Sequence, residues 1–336
     1  MQRWHGRQAG VTLVELMVAL VIGLVVSLAT VATLIAARAG YSSVDSSSQV
    51  RENARFAIEL IQRIAVQAGY EDVAAAVGTK QSGSFAGSEP SPEPDVMGYD
   101  NAVLGTQTSF PPSVSNNGSG CSTSSSACSN NSDVLVLRYQ GSSLPSDAGT
   151  ADGSIINCAG VAEVATGSSS ADRLYSVFHV ERSSTSGEPV LMCSYRNTGG
   201  TWTKQALVQG VESFQVLYGM DYGNSAVAAN VAVSAAQVQD SVPDRYLRAD
   251  QIIVPGNADA TRANWRRVRS LRIGLLLRSA PNTALDLTAT GKTYYPLGVG
   301  QSSSYDIGTA FAVTADGRLR QELSATVYLR NRVTLD

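Results

Sequence analysis

Residues 5–37 read HGRQAGVTLVELMVALVIGLVVSLATVATLIAA, and from Val11 to Ala37 the run is apolar almost throughout. As a helix it would extend roughly 40 Å at ~1.5 Å per residue, more than the ~20 residues that span a bilayer. One residue disagrees with that purpose. Glu15 places a carboxylate five positions into the run. At the centre of a membrane helix an acidic side chain costs on the order of 2.5–3.5 kcal/mol on insertion scales, so its presence calls for a function.

Three readings of the segment compete. A secretory signal has an apolar core of about 7–15 residues followed by a small-residue cleavage site; this run is too long, and Glu15 would break the core. A plain anchor explains the length but not the carboxylate. The third places a cut ahead of the run, between Gly10 and Val11, and keeps the whole helix in the mature chain. The leader, residues 1–10, carries Arg3 and Arg7 and stays on the cytoplasmic side under the positive-inside rule, with the C-terminal bulk exported. The cut would leave a new amine on Val11, one helical turn from Glu15, whose carboxylate also suits the positive end of the helix dipole. Between chains, Glu15 would attract a neighbour's amine and set the axial register of packed helices, since buried charges need partners.

The stretch AGVTLVELMVALVIGL resembles the type III signal of type IV pilins and type II secretion pseudopilins. Gly10, Thr12, Leu13, Glu15, Leu16 and Met17 match that pattern. Val11 stands where the family usually has Phe. The resemblance implies a dedicated prepilin peptidase that cuts after Gly10 and methylates the Val11 amine.

The chain of 336 residues has room for this helix and one large or two small globular domains. A formal charge of −3, becoming −5 once Arg3 and Arg7 leave, argues against nucleic acid as a partner held by bulk electrostatics. Cys121, Cys128, Cys158 and Cys193 contain no CxxC pair, and with only His5 and His179 beside them a zinc site lacks well-spaced ligands. Disulfides in an oxidising compartment are the simpler reading. Spacing allows three connectivities; the favoured one pairs Cys121 with Cys128 and Cys158 with Cys193.

Beyond Ala37 the helix is expected to continue over 38–70, loosened at Gly40 and the Ser-rich YSSVDSSS. Val50, Ala54, Ala57, Ile58, Ile61, Ile64, Ala65 and Ala68 recur at helical spacing and predict a stripe laid on a sheet, with Gly69 as the stop. Residues 71–336 read as a periplasmic β-rich domain. Within it, 78–132 is rich in Ser, Gly, Pro and Asn and predicts a long surface excursion; a second polar excursion follows at 223–244. Strands are predicted at 133–139, 174–182, 189–196 and 211–221. In LRIGLLLRS and ELSATVYLRN the alternation predicts antiparallel strands with one wet face. A helix followed by many strands gives an α+β arrangement with an antiparallel sheet.

QVRENARFAIELIQRIAVQAGY, NWRRVRSLRIGLLLRS and RLRQELSATVYLRNR are similar to the PilW-type minor pilins, relatives of the J-type minor pseudopilins of type II secretion. That resemblance implies a pilin-like fold and a large minor subunit. It would join other minor pilins and the major pilin, prime filament growth and end at the tip.

Catalysis finds little support. No G-x-S-x-G, P-loop or H-E-x-x-H is present, and His179 in SVFHVER reads as a packed residue. No cofactor and no metal are called for. Arg266, Arg267, Arg269 and Arg272 crowd WRRVRSLR; they read as a strand face paired with acidic surroundings, with a DNA contact as the rival. Two alternatives stay open: a J-type pseudopilin, and a tip adhesin or ligand-binding module.

Overall fold

A computed structural model of the chain describes residues 10–70, 93–106, 112–115, 130–165, 173–196, 200–223, 229–233, 240–284, 291–302, 306, 308–313 and 316–331. Helix α1 (Leu13–Gln67) runs 55 residues without interruption, roughly 80 Å at ~1.5 Å per residue. It passes through Gly40 and the Ser-rich stretch intact, so the predicted loosening there does not occur. Thr33 Oγ1 donates to Ala29 O at 3.1 Å, the back-bond by which a hydroxyl satisfies itself inside a helix.

The stripe read from the sequence is the face that α1 buries: Val50, Ala54, Ala57, Ile58, Ile61, Ile64 and Ala65. The helix stops at Ala68, and Gly69 follows at φ +75°, the left-handed position that glycine takes at no steric cost. A Cβ on Gly69 would also lie 2.9 Å from Asn331 O. Asn331 Nδ2 donates to Val66 O at 3.0 Å, and Gln67 Oε1 accepts from Ile156 N–H at 2.9 Å. The helix end is thereby tied to two distant parts of the chain.

Two antiparallel sheets receive α1. The first is a meander of β1 (Val96–Tyr99), β2 (Val134–Tyr139), β3 (Leu174–Arg182), β4 (Pro189–Arg196) and β5 (Trp202–Gln209), paired in chain order. The second holds β6 (Val211–Met220), β7 (Arg245–Leu247), β8 (Val268–Arg278) and β9 (Arg320–Tyr328) in the order β7-β6-β8-β9. Helices α2 (Ala249–Ile252) and α3 (Ala258–Trp265) connect β7 to β8. One core joins the stripe of α1 to the inner faces of both sheets, with Leu135, Leu137, Phe178, Phe214, Val216, Ile273 and Leu275 at its centre. The fold is α+β, a long N-terminal helix packed on antiparallel sheets.

Gly210 alone separates β5 from β6, at φ +83°. Its N–H donates to Pro189 O at 2.8 Å in the first sheet, and its carbonyl accepts from Arg278 N–H at 2.8 Å in the second. The sheets also meet where the chain leads into β2. Asp133 N–H donates to Phe214 O at 2.8 Å, Phe214 N–H to Ser132 Oγ at 3.1 Å and Val216 N–H to Asp133 Oδ2 at 2.7 Å. Residues 130–133 thus close part of the edge of β6 that β7 leaves open.

Three sequence readings change. The stretch 78–132 is not only an excursion: it contains β1, and Val96 is fully buried. Strand β8 has no wet face, because Leu276 is buried and Gly274 packs against the Pro296 backbone; in β9 the alternation holds, with Ser324, Thr326 and Tyr328 exposed. The second excursion is pinned in its described part. Asn264 Nδ2 donates to Val231 O at 2.9 Å, and Asn230 Nδ2 to Asp250 O at 2.7 Å.

Candidate assembly site at the N-terminal helix

Every Val, Leu, Ile and Met side chain from Val11 to Ile35 is more than half exposed. A helix that is apolar all round is built for lipid or for a bundle, and α1 is long and apolar enough to cross a membrane. No other part of the described chain packs on that stretch.

Glu15 lies at the start of this helix. Thr12 is its N-cap, in extended conformation, with φ −70° and ψ 151°. Thr12 N–H and Thr12 Oγ1 each donate to Glu15 Oε2 at 3.0 Å, and Thr12 Oγ1 accepts from Glu15 N–H at 3.3 Å. This is a reciprocal capping box, which satisfies donors that a helix start otherwise leaves bare. It also answers how a carboxylate is tolerated at the edge of an apolar run: two donors from its own chain hold one oxygen. Among the described residues no hydrogen bond reaches Oε1, and an ionised carboxylate can accept more than these. The sequence reading gave Thr12 no role, although T-x-x-E ahead of an apolar run is the signature of the box.

Gly10 and Val11 precede the cap in open space, with no heavy atom within 4 Å of a Cβ built on Gly10, and Val11 is 71% exposed. The bond between them is accessible, and Val11 lies next to the cap that holds Glu15.

The remaining candidates are internal. Cys158 and Cys193 form a disulfide with Cα atoms 5.8 Å apart; it ties the turn before β3 to β4. Cys121 and Cys128 lie outside the described residues, as do Arg3 and Arg7. The crowded arginines make no open basic face. Arg269 is buried with its Nε 3.3 Å from Asp221 Oδ2, and Arg267 is buried as well.

His179 is less isolated than its sequence suggests. Its Nε2 lies 2.9 Å from Ser194 Oγ, across the β3–β4 pair, and its Nδ1 lies 3.6 Å from Glu181 Oε1, which in turn pairs with Lys204 at 2.9 Å. The order is that of nucleophile, base and carboxylate, but the last gap exceeds a hydrogen bond. His179 is 1% and Ser194 4% exposed, so no reactant reaches the hydroxyl. Burial pushes the imidazole pKa down to about 4, with Glu181 opposing and Lys204 adding; the ring is neutral and part of the packing.

Comparison with known proteins follows the same division of the chain. Residues 5–31 match the prokaryotic N-terminal methylation motif, and residues 177–331 match the family model described as Type IV Pilus-assembly protein W. A search of curated proteins gives no match. Among solved structures, a type IV-like pilin from Thermus thermophilus is similar at 12% identity, over 84% of this chain and 97% of that one, with a TM-score of 0.37. The methylation motif ends inside the all-round apolar helix and spans the Thr12–Glu15 cap. Over residues 177–331 the chain is similar to the type IV pilus-assembly protein W family.

Proposed function

We propose that this chain is a minor pilin that primes assembly of a type IV pilus and ends at its tip. It enters the inner membrane with residues 1–10 in the cytoplasm and the β-rich domain in the periplasm. A prepilin peptidase cuts after Gly10 and methylates Val11, and the helix then packs with other minor pilins and the major pilin. Its role is structural rather than catalytic.

One observation carries this reading: Glu15 is held at the helix start by its own Thr12 with Oε1 left open. The box keeps the carboxylate satisfied while the subunit waits in the bilayer. Oε1 then takes the Val11 amine of a neighbour, and that contact sets the register.

The test is incorporation into sheared filaments. Glu15→Val should insert and be cleaved normally but enter filaments less well, on the order of tenfold, the scale on which a lost interfacial charge pair acts. Thr12→Val should fall between wild type and Glu15→Val, and Thr12→Ser should match wild type. Normal incorporation of Glu15→Val would remove the assembly role.

A further inference from the structure

Four carboxylates from distant parts of the chain gather behind β6, where residues 130–133 close its edge. Asp100 follows β1, Asp133 leads into β2, Asp250 lies in α2, and Asp306 lies between β8 and β9. Asp100, Asp133 and Asp306 are 4%, 3% and 6% exposed. Among the described residues a single cation answers them. Arg248 grips Asp250 through Nε at 3.0 Å and Nη2 at 2.9 Å, and its Nε lies 3.7 Å from Asp100 Oδ2. Among the described residues Tyr218 of β6 feels the charges of Asp133 and Asp100, and Tyr99 of β1, itself near Glu93, acts on Tyr218.

The hydrogen bonds leave the cluster unsatisfied. Asp133 accepts from Asn101 N–H at 3.0 Å and from Val216 N–H at 2.7 Å. Asp100 Oδ2 accepts from Asn101 Nδ2 at 3.2 Å. Asn101 Oδ1, Tyr218 Oη and Asp306 Oδ1 are buried with no hydrogen-bond partner among the described residues. One guanidinium cannot balance four carboxylates, and buried charge without a counter-charge is neutralised or expelled.

We propose that this cluster is a proton-operated clasp: with protons shared among Asp100, Asp133 and Asp306, the turn after β1 and the lead into β2 stay against β6, and loss of those protons opens the joint and uncovers the edge of β6. The direction of each pKa agrees. Burial, then Asp306 and Asp250, raise Asp100 to about 7 against the pull of Arg248. Burial raises Asp306 to about 6, with Arg248 opposing. Burial and Asp100 raise Asp133 well above the carboxylate range, against its two backbone donors. Such a set releases protons as a unit rather than one residue at a time.

Hydrogen exchange of the full-length chain in detergent tests the clasp, followed by mass spectrometry of peptides covering 97–103 and 211–218 between pH 5.5 and 8.5 with a chelator present. After correction for the intrinsic rate, protection should fall as pH rises, by up to about tenfold per pH unit for each proton released. Asp100→Asn and Asp306→Asn, made separately, should each flatten that fall; two variants keep the test alive if one folds poorly. Protection independent of pH in the wild type, or an unchanged slope in both variants, overturns the proposal. So does recovery of protection on adding calcium at pH 8.5, which would make a cation rather than a proton the neutralising partner.

Discussion

Thr12 and Glu15 lie one turn apart, and the geometry between them turns an expensive side chain into a usable one. Apolar neighbours on every side of the helix leave Glu15 no donor except those at the helix start, so the carboxylate belongs within the first turn, where the bare N–H groups are. His179 is the opposite case, a titratable group kept neutral. Its folded pKa of about 4 lies below the unfolded value of about 6.5. The unfolded chain therefore binds the extra proton, and the stability His179 allows is intact above pH 6.5 and lost as pH falls from 6.5 towards 4. The shift corresponds to about 3 kcal/mol. Urea unfolding of wild type and His179→Gln at pH 7 and pH 4.5 checks this: the wild type should lose stability relative to the variant on acidification. Equal changes in both would mean that the imidazole is not buried neutral.

Elements with a strong period were readable from the sequence, and elements whose identity depends on distant partners were not. The stripe from Val50 to Ala68 repeats every 3 or 4 residues, and it is the buried face of α1. Strands β3 and β4 stand where β-branched and aromatic residues predict them. The four residues of β1 sit among Pro, Gly and Ser, and become a strand only because β2 offers an edge. β5 carries Thr, Lys and Gln through its first half, and its register with β4 shifts between Leu191 and Met192, so no clean alternation announces it. β8 lost its predicted wet face to residues 296 and 297, which no local pattern connects to it. The Thr12 box was legible as T-x-x-E. The carboxylate cluster was not, since its members lie tens to hundreds of residues apart. Gly210 links the two sheets at a single residue. A Cβ there would meet the Arg278 carbonyl at a positive φ, so Gly210→Ala should destabilise the chain by roughly 1–3 kcal/mol. A urea midpoint equal to wild type would show that the junction relaxes.

At the scale of the molecule, the two sheets are held as one body at several points besides Gly210. Glu188, just before β4 of the first sheet, pairs with Arg278 of β8 at 2.9 Å and with Arg318, just before β9, at 2.7 Å, while Glu212 of β6 knits the second sheet itself by accepting from Arg278 Nη1 at 2.9 Å and from Arg320 Nε at 2.6 Å. The Cys158–Cys193 bridge closes a loop of 35 residues in the first sheet. α1 lays its C-terminal half across both sheets and leaves its N-terminal half free of them. A β-rich body on one continuous helix agrees with the proposed subunit, drawn from a membrane into a filament. That use depends on the chain being cut ahead of the apolar run and not after it. The most direct measurement is the N-terminal mass of the protein recovered from membranes with and without the prepilin peptidase, with a variant carrying a bulky residue at position 10 alongside. The predicted result is a chain beginning at N-methylated Val11 only when the peptidase is present, and a retained leader in the variant. A chain that still begins at Met1 with the peptidase present, or one cut beyond Ala37, would contradict it and reduce the helix to an anchor or a signal.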